Sequence, residues 1–540
     1  MESGDRFFWR ICCTDVNKIV ILWPMNRLRN THRENLVTLL SIGCFTVVAL
    51  LLVSWDSYLY DLWQHHDVIW FYMCGKAWMN GMTPYVDFSD SKGPLLWLIY
   101  GVGYLLRPRD YVGVYWVSCA FYTFIFYMCY KCARLFVRDH RLSLVAVLVT
   151  SLFFLSGLTH IEVRAEDFCY AFMLPVFYRF LRHTVDHERS RGFAQSSALL
   201  LGFSLGATLL IKYSCTLMLG IFIPYFCVIV PRRCGYSMWR ALGYCALSSV
   251  LTLLPMLAVL AIQGSLGAFF REYFLVTFST FDNMHGNAIT VGNVLMMFLG
   301  RRCILFTIGV ITGVALYCAR VRTDWQFVVA ALVWFSGVIL LNGTDRIYLN
   351  VLSLFTVLFV GVALQFMGQW LRHGAIMAAL AAITAAALFV TVDHKSLFSN
   401  ELLDRKIWYY YPTLLTQYDS PRLLYLMCHD HGEGVPVHGL PACKYWSLQL
   451  GHTPEMVADQ INAVKQHRCD AVFVQVYDRD NIQLLEQCGY FRNDYINAGY
   501  GDESWNRFLM YSSKPLQHRP SAYPTPTQVL LKRPFFTTHQ

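Results

Sequence analysis

Residues 35–55 read NLVTLLSIGCFTVVALLLVSW, an apolar stretch without a charged residue. A helix needs about 20 consecutive apolar residues to cross the hydrocarbon core of a bilayer, so this stretch predicts a membrane-spanning helix. Similar stretches recur as far as residue 392, and the chain as a whole is 56% hydrophobic and 15% charged. Soluble proteins carry about 25% charged residues. The sequence therefore predicts a polytopic α-helical membrane protein.

We predict about eleven transmembrane helices. They cover residues 35–55, 111–130, 142–158, 168–181, 193–211, 214–230, 239–262, 303–319, 325–341, 347–368 and 373–392. The apolar segment 94–106 is too short to span and is interpreted as re-entrant or interfacial. With this assignment the shorter, inner connections carry more Lys and Arg than the longer, outer ones, as the positive-inside rule requires. Counting 94–106 as a span would reverse that bias.

The predicted topology divides the chain into three parts. Residues 1–34 form a cytoplasmic N-terminus, residues 35–393 a transmembrane domain with a large first outer loop at 56–110, and residues 394–540 an extracytoplasmic domain. In the last part, Pro, His and charged residues replace the apolar runs. The predicted elements there are a helix at 454–466, a strand at 471–477, a helix at 480–487 and a strand at 507–511. This alternation is typical of a small α/β domain.

The first outer loop contains the densest chemistry of the chain. Residues 80–87 read NGMTPYVD and residues 90–96 read DSKGPLL. Ordinary connections between helices are a few residues long, and long ordered loops are usually functional. Five of its aspartates lie next to aromatic residues and the predicted bilayer surface: Asp56, Asp61, Asp67, Asp87 and Asp90. We therefore expect the active site here.

An Asp shortly after the first span, then Gly-x-x-Pro-Tyr-x-Asp, then Lys-Gly-Pro-Leu-Leu, resembles the first loop of GT-C glycosyltransferases. The protein O-mannosyltransferases and the aminoarabinose transferase of lipid A are of this type. The resemblance implies a GT-C-like fold and an inverting hexosyl or pentosyl transfer from a polyprenyl-phosphate donor to an acceptor hydroxyl. Asp67 would act as the general base, and Tyr85, Asp87 and Lys92 would contact substrate. The family often has Asp-Glu where this chain has Asp67-Val68, so only the Asp is carried over.

Asp67 also has a purely structural interpretation, because Asp often caps a helix. The same alternative applies to the second outer loop, where Glu162, Arg164, Glu166 and Asp167 directly precede an apolar run. GT-C enzymes place acidic residues in the corresponding loop, which implies that Glu166 or Asp167 helps to hold the acceptor or an ion. Acids at a helix start are also favoured by the helix dipole, and the sequence leaves both interpretations open.

The phosphate of the donor needs cations near the outer interface. The basic residues predicted at that interface are Lys92, Arg164, Lys212, Arg271, Arg301, Arg302 and Arg346. Lys212 is notable because it lies between two apolar stretches with almost no loop. Each of these residues can equally extend its charge to the lipid headgroups without any catalytic role.

Several other interpretations are less favoured. Asp478-Arg479-Asp480 looks like the metal motif of nucleotide-sugar transferases, but a helix cap is the better explanation. Cys428-His429-Asp430-His431 lacks a second cluster with zinc-ligand spacing, so no metal site is predicted, although a divalent cation requirement stays open and no cofactor is identified. One or two disulfides can form among Cys428, Cys443, Cys469 and Cys488.

The expected partners are a lipid-linked sugar donor, a lipid, glycan or protein acceptor, and membrane lipids. Nucleic acid is not expected, because the basic residues behind the net charge of +9 are dispersed over short loops. A transporter or flippase of lipid-linked glycans is one alternative. It would need ionisable residues in the middle of its spans, whereas those of this chain cluster at the ends. A polymerase is a second alternative and is expected to use outer-loop arginines, whereas the first loop here is long and acidic. The predicted setting is cell-envelope polysaccharide biosynthesis at the plasma (inner) membrane, with the active site outside.

Overall fold

The computed structural model describes most of the chain. The described residues are 32–59, 66–137, 139–155, 164–277, 290–299, 304–320, 414–448, 453–493 and 508–517, with isolated positions between 329 and 412. Residues 1–41 and 42–540 form two separate packing units. Every side chain of the candidate site lies in the second unit.

Helices make up most of the described structure. They are α1 His32–Val53, α2 His66–Met79, α3 Pro94–Leu106, α4 Val112–Ala133, α5 His140–Leu155, α6 Ala165–Val185, α7 Arg191–Leu209, α8 Tyr213–Gly220, α9 Phe222–Pro224, α10 Val230–Arg233, α11 Met238–Ile262, α12 Leu266–Phe269, α13 Val291–Leu299, α14 Ile304–Arg320, α15 Pro454–Lys465 and α16 Arg479–Gln487. Two π-helical segments, π1 Tyr225–Ile229 and π2 Phe270–Val276, interrupt this series.

Within the described part of the chain, four helices are long and apolar enough to cross a membrane, namely α1, α4, α7 and α11. The stretch from α8 to α10 bends by 42° and makes a fifth span if it is counted as one. Together with the remaining apolar helices, this architecture makes the chain an integral membrane protein. The three predicted spans at 325–341, 347–368 and 373–392 lie outside the described residues, apart from isolated positions.

Several predicted spans differ from the observed helices in ways that have a local cause. The predicted span at 168–181 is the longer helix α6, which starts at Ala165 and keeps Pro175 in its interior. The predicted span at 214–230 is broken into α8, α9 and π1. Pro224 lies in that break, and a proline has no backbone N–H to donate to the preceding turn. The segment 94–106 is the 13-residue helix α3, too short to span when upright.

The C-terminal domain contains a mixed five-stranded sheet. Its strands are β1 Arg422–Leu426, β2 Leu440–Pro441, β3 Ala471–Gln475, β4 Phe491–Asn493 and β5 Phe508–Ser512. They lie in the order β2-β1-β3-β5-β4. Strand β1 pairs in parallel with β2 and β3, while β5 is antiparallel to β3 and β4. The predicted α/β alternation is therefore present, and β1, β2 and β4 are additions that the sequence interpretation missed.

Two sequence details of this domain have a clear outcome. Asp478 is the N-cap of α16 and accepts a hydrogen bond from the Asn481 backbone N–H at 3.2 Å, so the helix-cap interpretation of Asp478-Arg479-Asp480 is confirmed. The four cysteines considered for disulfides are free thiols. Cys428, for example, is buried and its Sγ donates to the Phe473 carbonyl oxygen.

Candidate active site

The segment 89–93 of the first loop is fixed against the end of α7 by backbone hydrogen bonds. The Gly93 N–H donates to the Ile211 carbonyl and the Leu95 N–H to the Leu210 carbonyl, both at 2.9 Å. A Cβ atom on residue 93 would lie 2.1 Å from the Leu210 carbonyl oxygen, so only glycine permits this approach. The Lys-Gly-Pro motif thus places Lys92 next to the turn that carries Lys212.

Tyr85 and Asp87 precede this segment in the sequence, and each makes a structural hydrogen bond. The Tyr85 hydroxyl donates to the Lys92 carbonyl at 3.0 Å, and its fully buried ring contacts Trp97. Asp87 is exposed and accepts a hydrogen bond from the Thr83 N–H at 2.7 Å, which closes a turn. Both residues have a structural reason for being there, and direct contact of either with a substrate stays a prediction.

Asp90 is the carboxylate of the segment, and it is buried, with 2% of its surface exposed. Its Oδ1 accepts hydrogen bonds from the backbone N–H and the hydroxyl of Ser91, whereas its Oδ2 is buried without a hydrogen-bond partner. Lys92 donates to the same Ser91 hydroxyl at 2.8 Å. Burial raises the pKa of Asp90, the Lys92 ammonium opposes that shift, and the Asp67 carboxylate adds to it.

Asp67 lies in the first turn of α2 and faces Arg164, the residue before α6. Their closest atoms, Asp67 Oδ2 and Arg164 Nη1, are 3.9 Å apart. The Asp67 side chain is 43% exposed, while that of Arg164 is 11% exposed. Asp67 is therefore accessible to solvent and lies close to a cation.

The start of α6 contributes two acids with different surroundings. Glu166 forms an ion pair with Lys212, and both side chains are almost buried. Asp167 is buried and accepts a hydrogen bond from the Arg164 backbone N–H at 2.7 Å, which stabilises the first turn of the helix. Asp167 thus has the helix-start role that the sequence left open, and Glu166 has a lysine partner from another helix.

These contacts define the charged cluster, a set of three acidic and three basic side chains around the first loop and the starts of α6 and α8. Its members are Asp67, Asp90, Lys92, Arg164, Glu166 and Lys212. Five of them were identified from the sequence as site residues, and the sixth, Asp90, as a loop carboxylate. Glu162, Arg301, Arg302 and Arg346 lie outside the described residues. Arg271 forms an exposed ion pair with Glu455 of the C-terminal domain at 2.6 Å.

Two buried charged residues next to the cluster were missed. Glu272 in π2 accepts hydrogen bonds from the Lys444 ammonium at 2.6 Å and the Tyr445 hydroxyl at 2.9 Å. Lys76 in α2 is fully buried and donates to the carbonyls of Gly434 and Val437 at 2.7 and 2.5 Å. Burial lowers the pKa of Lys76 to about 7. A lone ionisable residue in an apolar segment is the signal that could have found Lys76, and Glu272 lies beside Arg271 in an otherwise apolar stretch.

A metal ion in a protein is held by several acidic, His or Cys side chains that lie together. In the part of the chain that the structure describes, no group of three or more His, Cys, Asp or Glu side chains is arranged to hold an ion. This includes the Cys428-His429-Asp430-His431 run, in which Asp430 instead accepts from the Trp446 indole N–H and the Gly432 backbone N–H.

The chain shares its fold with a solved GT-C glycosyltransferase. The crystal structure of ArnT from Cupriavidus metallidurans, bound to undecaprenyl phosphate, superposes with a TM-score of 0.56, covering 89% of this chain and 98% of the ArnT chain. The sequence identity is 12%. No protein-family model matches the chain, and no curated protein matches it in sequence. The GT-C-like architecture predicted from the first loop is therefore confirmed at the level of the fold.

Proposed function

We propose that the chain is a membrane glycosyltransferase that moves a sugar from a polyprenyl-phosphate donor to an acceptor hydroxyl on a lipid, glycan or protein. The observation that carries the proposal is the charged cluster, in which an accessible carboxylate lies among three cations on a GT-C-like fold. ArnT, which has that fold, binds undecaprenyl phosphate in its crystal structure, and this supports a polyprenyl-phosphate donor here.

Lys92 and Lys212 are the proposed phosphate ligands. The leaving group of the reaction is a phosphate whose negative charge grows as the bond to the sugar breaks, and fixed cations stabilise that charge. Lys92 is half-buried and held over the Phe71 ring, so its charge is presented in a defined position. Lys212 forms an ion pair with Glu166. The pair holds the Lys212 ammonium in place, and each of the two buried charges is compensated by the other.

Asp67 is the proposed general base. The acceptor oxygen attacks the anomeric carbon on the face opposite the phosphate, and its proton passes to the Asp67 carboxylate. The bond from the anomeric carbon to the phosphate oxygen breaks, and polyprenyl phosphate leaves with the electron pair, so the anomeric configuration inverts. Arg164, 3.9 Å from Asp67, holds this carboxylate in place by an ion pair.

The remaining predicted residues have subordinate places in the proposal. Tyr85 holds the segment 89–93 in shape, Asp87 closes the turn before it, and Asp167 fixes the helix start that carries Glu166. Further contacts to the acceptor and to the donor phosphate are proposed for Glu162, Arg301, Arg302 and Arg346. We also propose the full topology of eleven helices, with the active site and the C-terminal domain on the outer face of the plasma membrane.

The test is transfer of labelled sugar by the purified full-length chain from a panel of synthetic polyprenyl-phosphate sugars. We expect release of polyprenyl phosphate and labelling of an acceptor. Asp67→Asn should lower the turnover number by at least about 100-fold, the usual contribution of a general base. Asp110→Asn is the matched control, because Asp110 is a carboxylate of the same loop that pairs with Arg107 instead.

Three other results would overturn parts of the proposal. Full activity of a correctly inserted Asp67→Asn variant removes Asp67 as the base, and a loss confined to Asp56→Asn assigns that role to the buried Asp56. Movement of intact donor across the membrane without bond cleavage identifies a flippase. Growth of the donor glycan itself identifies a polymerase.

A further inference from the structure

The segment 89–93 is held at both ends by groups that contact the π-helical segment π2. At its start, the Ser89 N–H donates to the Lys444 carbonyl at 3.1 Å and the Ser89 hydroxyl to Glu272 Oε2 at 3.3 Å. At its end, Gly93 is bonded to Ile211 beside the end of α7. There the hydroxyl of Tyr273, the residue after Glu272, donates to the Leu209 carbonyl at 2.7 Å.

Glu272 is the only member of this arrangement that joins three parts of the chain through one side chain, among the residues that the structure describes. Its carboxylate belongs to π2, binds Lys444 and Tyr445 of the C-terminal domain, and accepts from Ser89 of the first loop. It is 2% exposed, and a carboxylate at that depth is tolerated only when it is paired and hydrogen-bonded.

The Tyr445 hydroxyl is a stable hydrogen-bond donor to Glu272. Burial, with the Glu272 carboxylate adding to it, raises the pKa of Tyr445, so its hydroxyl keeps the proton that it donates to Glu272. π-Helical segments are rare and frequently mark functional sites. Glu272 and Tyr273 are consecutive residues of π2. Glu272 bonds to Ser89 at the start of the segment 89–93, and Tyr273 bonds to the Leu209 carbonyl beside the residues that hold its end.

We propose that Glu272 is a positioning residue, which fixes the segment 89–93 and through it Lys92, and thereby makes donor binding depend on the docked C-terminal domain. The inference rests on the proposed function, because it assigns the consequence of this positioning to the phosphate-binding lysine. Glu272 itself contacts neither substrate nor reacting atoms. The C-terminal domain then serves as a structural part of the active site through Lys444 and Tyr445.

The experiment compares three variants of the full-length chain in lipid nanodiscs. Ser89→Ala removes only the link between Glu272 and the segment and leaves the carboxylate paired with Lys444 and Tyr445. Glu272→Gln keeps the shape of the side chain and removes its charge. Glu455→Gln is the matched control, because Glu455 connects the C-terminal domain to the same π2 through Arg271 without a bond to the segment.

We expect Ser89→Ala and Glu272→Gln each to raise the KM for donor about tenfold, the effect of losing one hydrogen bond to a charged group. The KM for acceptor should stay unchanged, and the double variant should be no worse than the worse single one, since both act on one link. Amide hydrogen exchange over residues 89–95 should accelerate in both. Glu455→Gln should stay within about twofold of the unmodified chain in every measurement, as exposed ion pairs contribute little.

Each outcome bears on the inference separately from the proposed function. Donor KM and amide exchange in Ser89→Ala that equal those of Glu455→Gln overturn the inference, even if Glu272→Gln fails to fold. A lower turnover number without a change in KM for donor also overturns it, because that result describes general damage. If the unmodified chain transfers no sugar but the exchange difference persists, the positioning stands and the proposed function fails.

Discussion

The Glu433 carboxylate is buried in the C-terminal domain, where it accepts a hydrogen bond from the Tyr425 hydroxyl at 2.8 Å. Burial raises the pKa of Glu433 from 4.5 to about 8, and the neighbouring Asp430 carboxylate adds to the shift. The folded state therefore binds more protons than the unfolded state between these two values. The contribution of Glu433 to stability is greatest below about pH 4.5 and is lost as the pH rises through about 8.

This linkage gives a prediction for Glu433→Gln, which keeps the side-chain shape and cannot ionise. The thermal midpoint of the unmodified chain in detergent should decline between pH 4.5 and 8, and the variant should show a smaller decline. Lys76, with its pKa lowered to about 7, acts in the opposite sense above pH 7 but is present in both proteins, so it cancels in the difference. Parallel melting curves at every pH would contradict the prediction.

Residue chemistry alone could find part of the charged cluster. Arg164, Glu166 and Lys212 stand out because ionisable groups at the ends of apolar runs are costly unless solvated, paired or used. Asp67 and Lys92 were singled out by the resemblance to the GT-C first loop. Sequence reasoning missed the partners of Lys76 and Glu272, because they come from distant parts of the chain. The Lys76 ammonium meets a carbonyl 358 residues away, and Glu272 meets Tyr445 across 173 residues.

At the scale of elements, the close approach of the first loop to the end of α7 requires a glycine, Gly93, because it has no side chain. A Cβ on Gly93 would overlap the Leu210 carbonyl and come within 3.0 Å of the Ile211 nitrogen. Both neighbours are backbone atoms, so neither can rotate away. The Lys-Gly-Pro motif is therefore a packing requirement between two elements as well as a carrier of Lys92.

Gly93→Ala should separate these elements and shift Lys92 away from Lys212. We expect a loss of stability of about 1–3 kcal/mol from the overpacking, together with a rise in the KM for donor. The matched control is Gly192→Ala, because a Cβ on Gly192 meets nothing within 4 Å. Thermal melting and donor titration of both variants test this. A Gly93→Ala variant as stable and as active as Gly192→Ala would show that the close approach does not exist.

The helices were predictable because their signal is local, and their interruptions were not. Length and apolar composition locate α1, α4, α7 and α11 within a few residues. The break between α8 and π1 was missed although Pro224, which has no N–H to donate to the preceding turn, lies in it. The early start of α6 depends on the bond between Asp167 and the Arg164 backbone. Strand β1 was missed because its run of four apolar residues, 423–426, is short enough to be read as a loop.

At the scale of the whole molecule, α2 and the C-terminal domain are packed against each other. The Trp70 and Trp446 rings lie 4.3 Å apart between centroids, and Lys76 bonds to two carbonyls of the domain. Two segments in such contact share one side of a membrane. The contact agrees with the predicted topology, which gives the first loop and the tail the same compartment, and it leaves open which compartment that is.

Impermeant thiol reagents on intact cells decide the matter. Asp87 in the first loop, Asp480 in the C-terminal domain and Arg189 in a predicted inner loop are exposed positions for single cysteines, in a background with the exposed Cys44 replaced by serine. We expect Asp87→Cys and Asp480→Cys to be labelled at once, and Arg189→Cys only after permeabilisation. Labelling of all three only after permeabilisation would place the active site inside. Labelling of Asp87→Cys without labelling of Asp480→Cys would contradict the contact between the first loop and the C-terminal domain. It would also overturn the role inferred for Glu272.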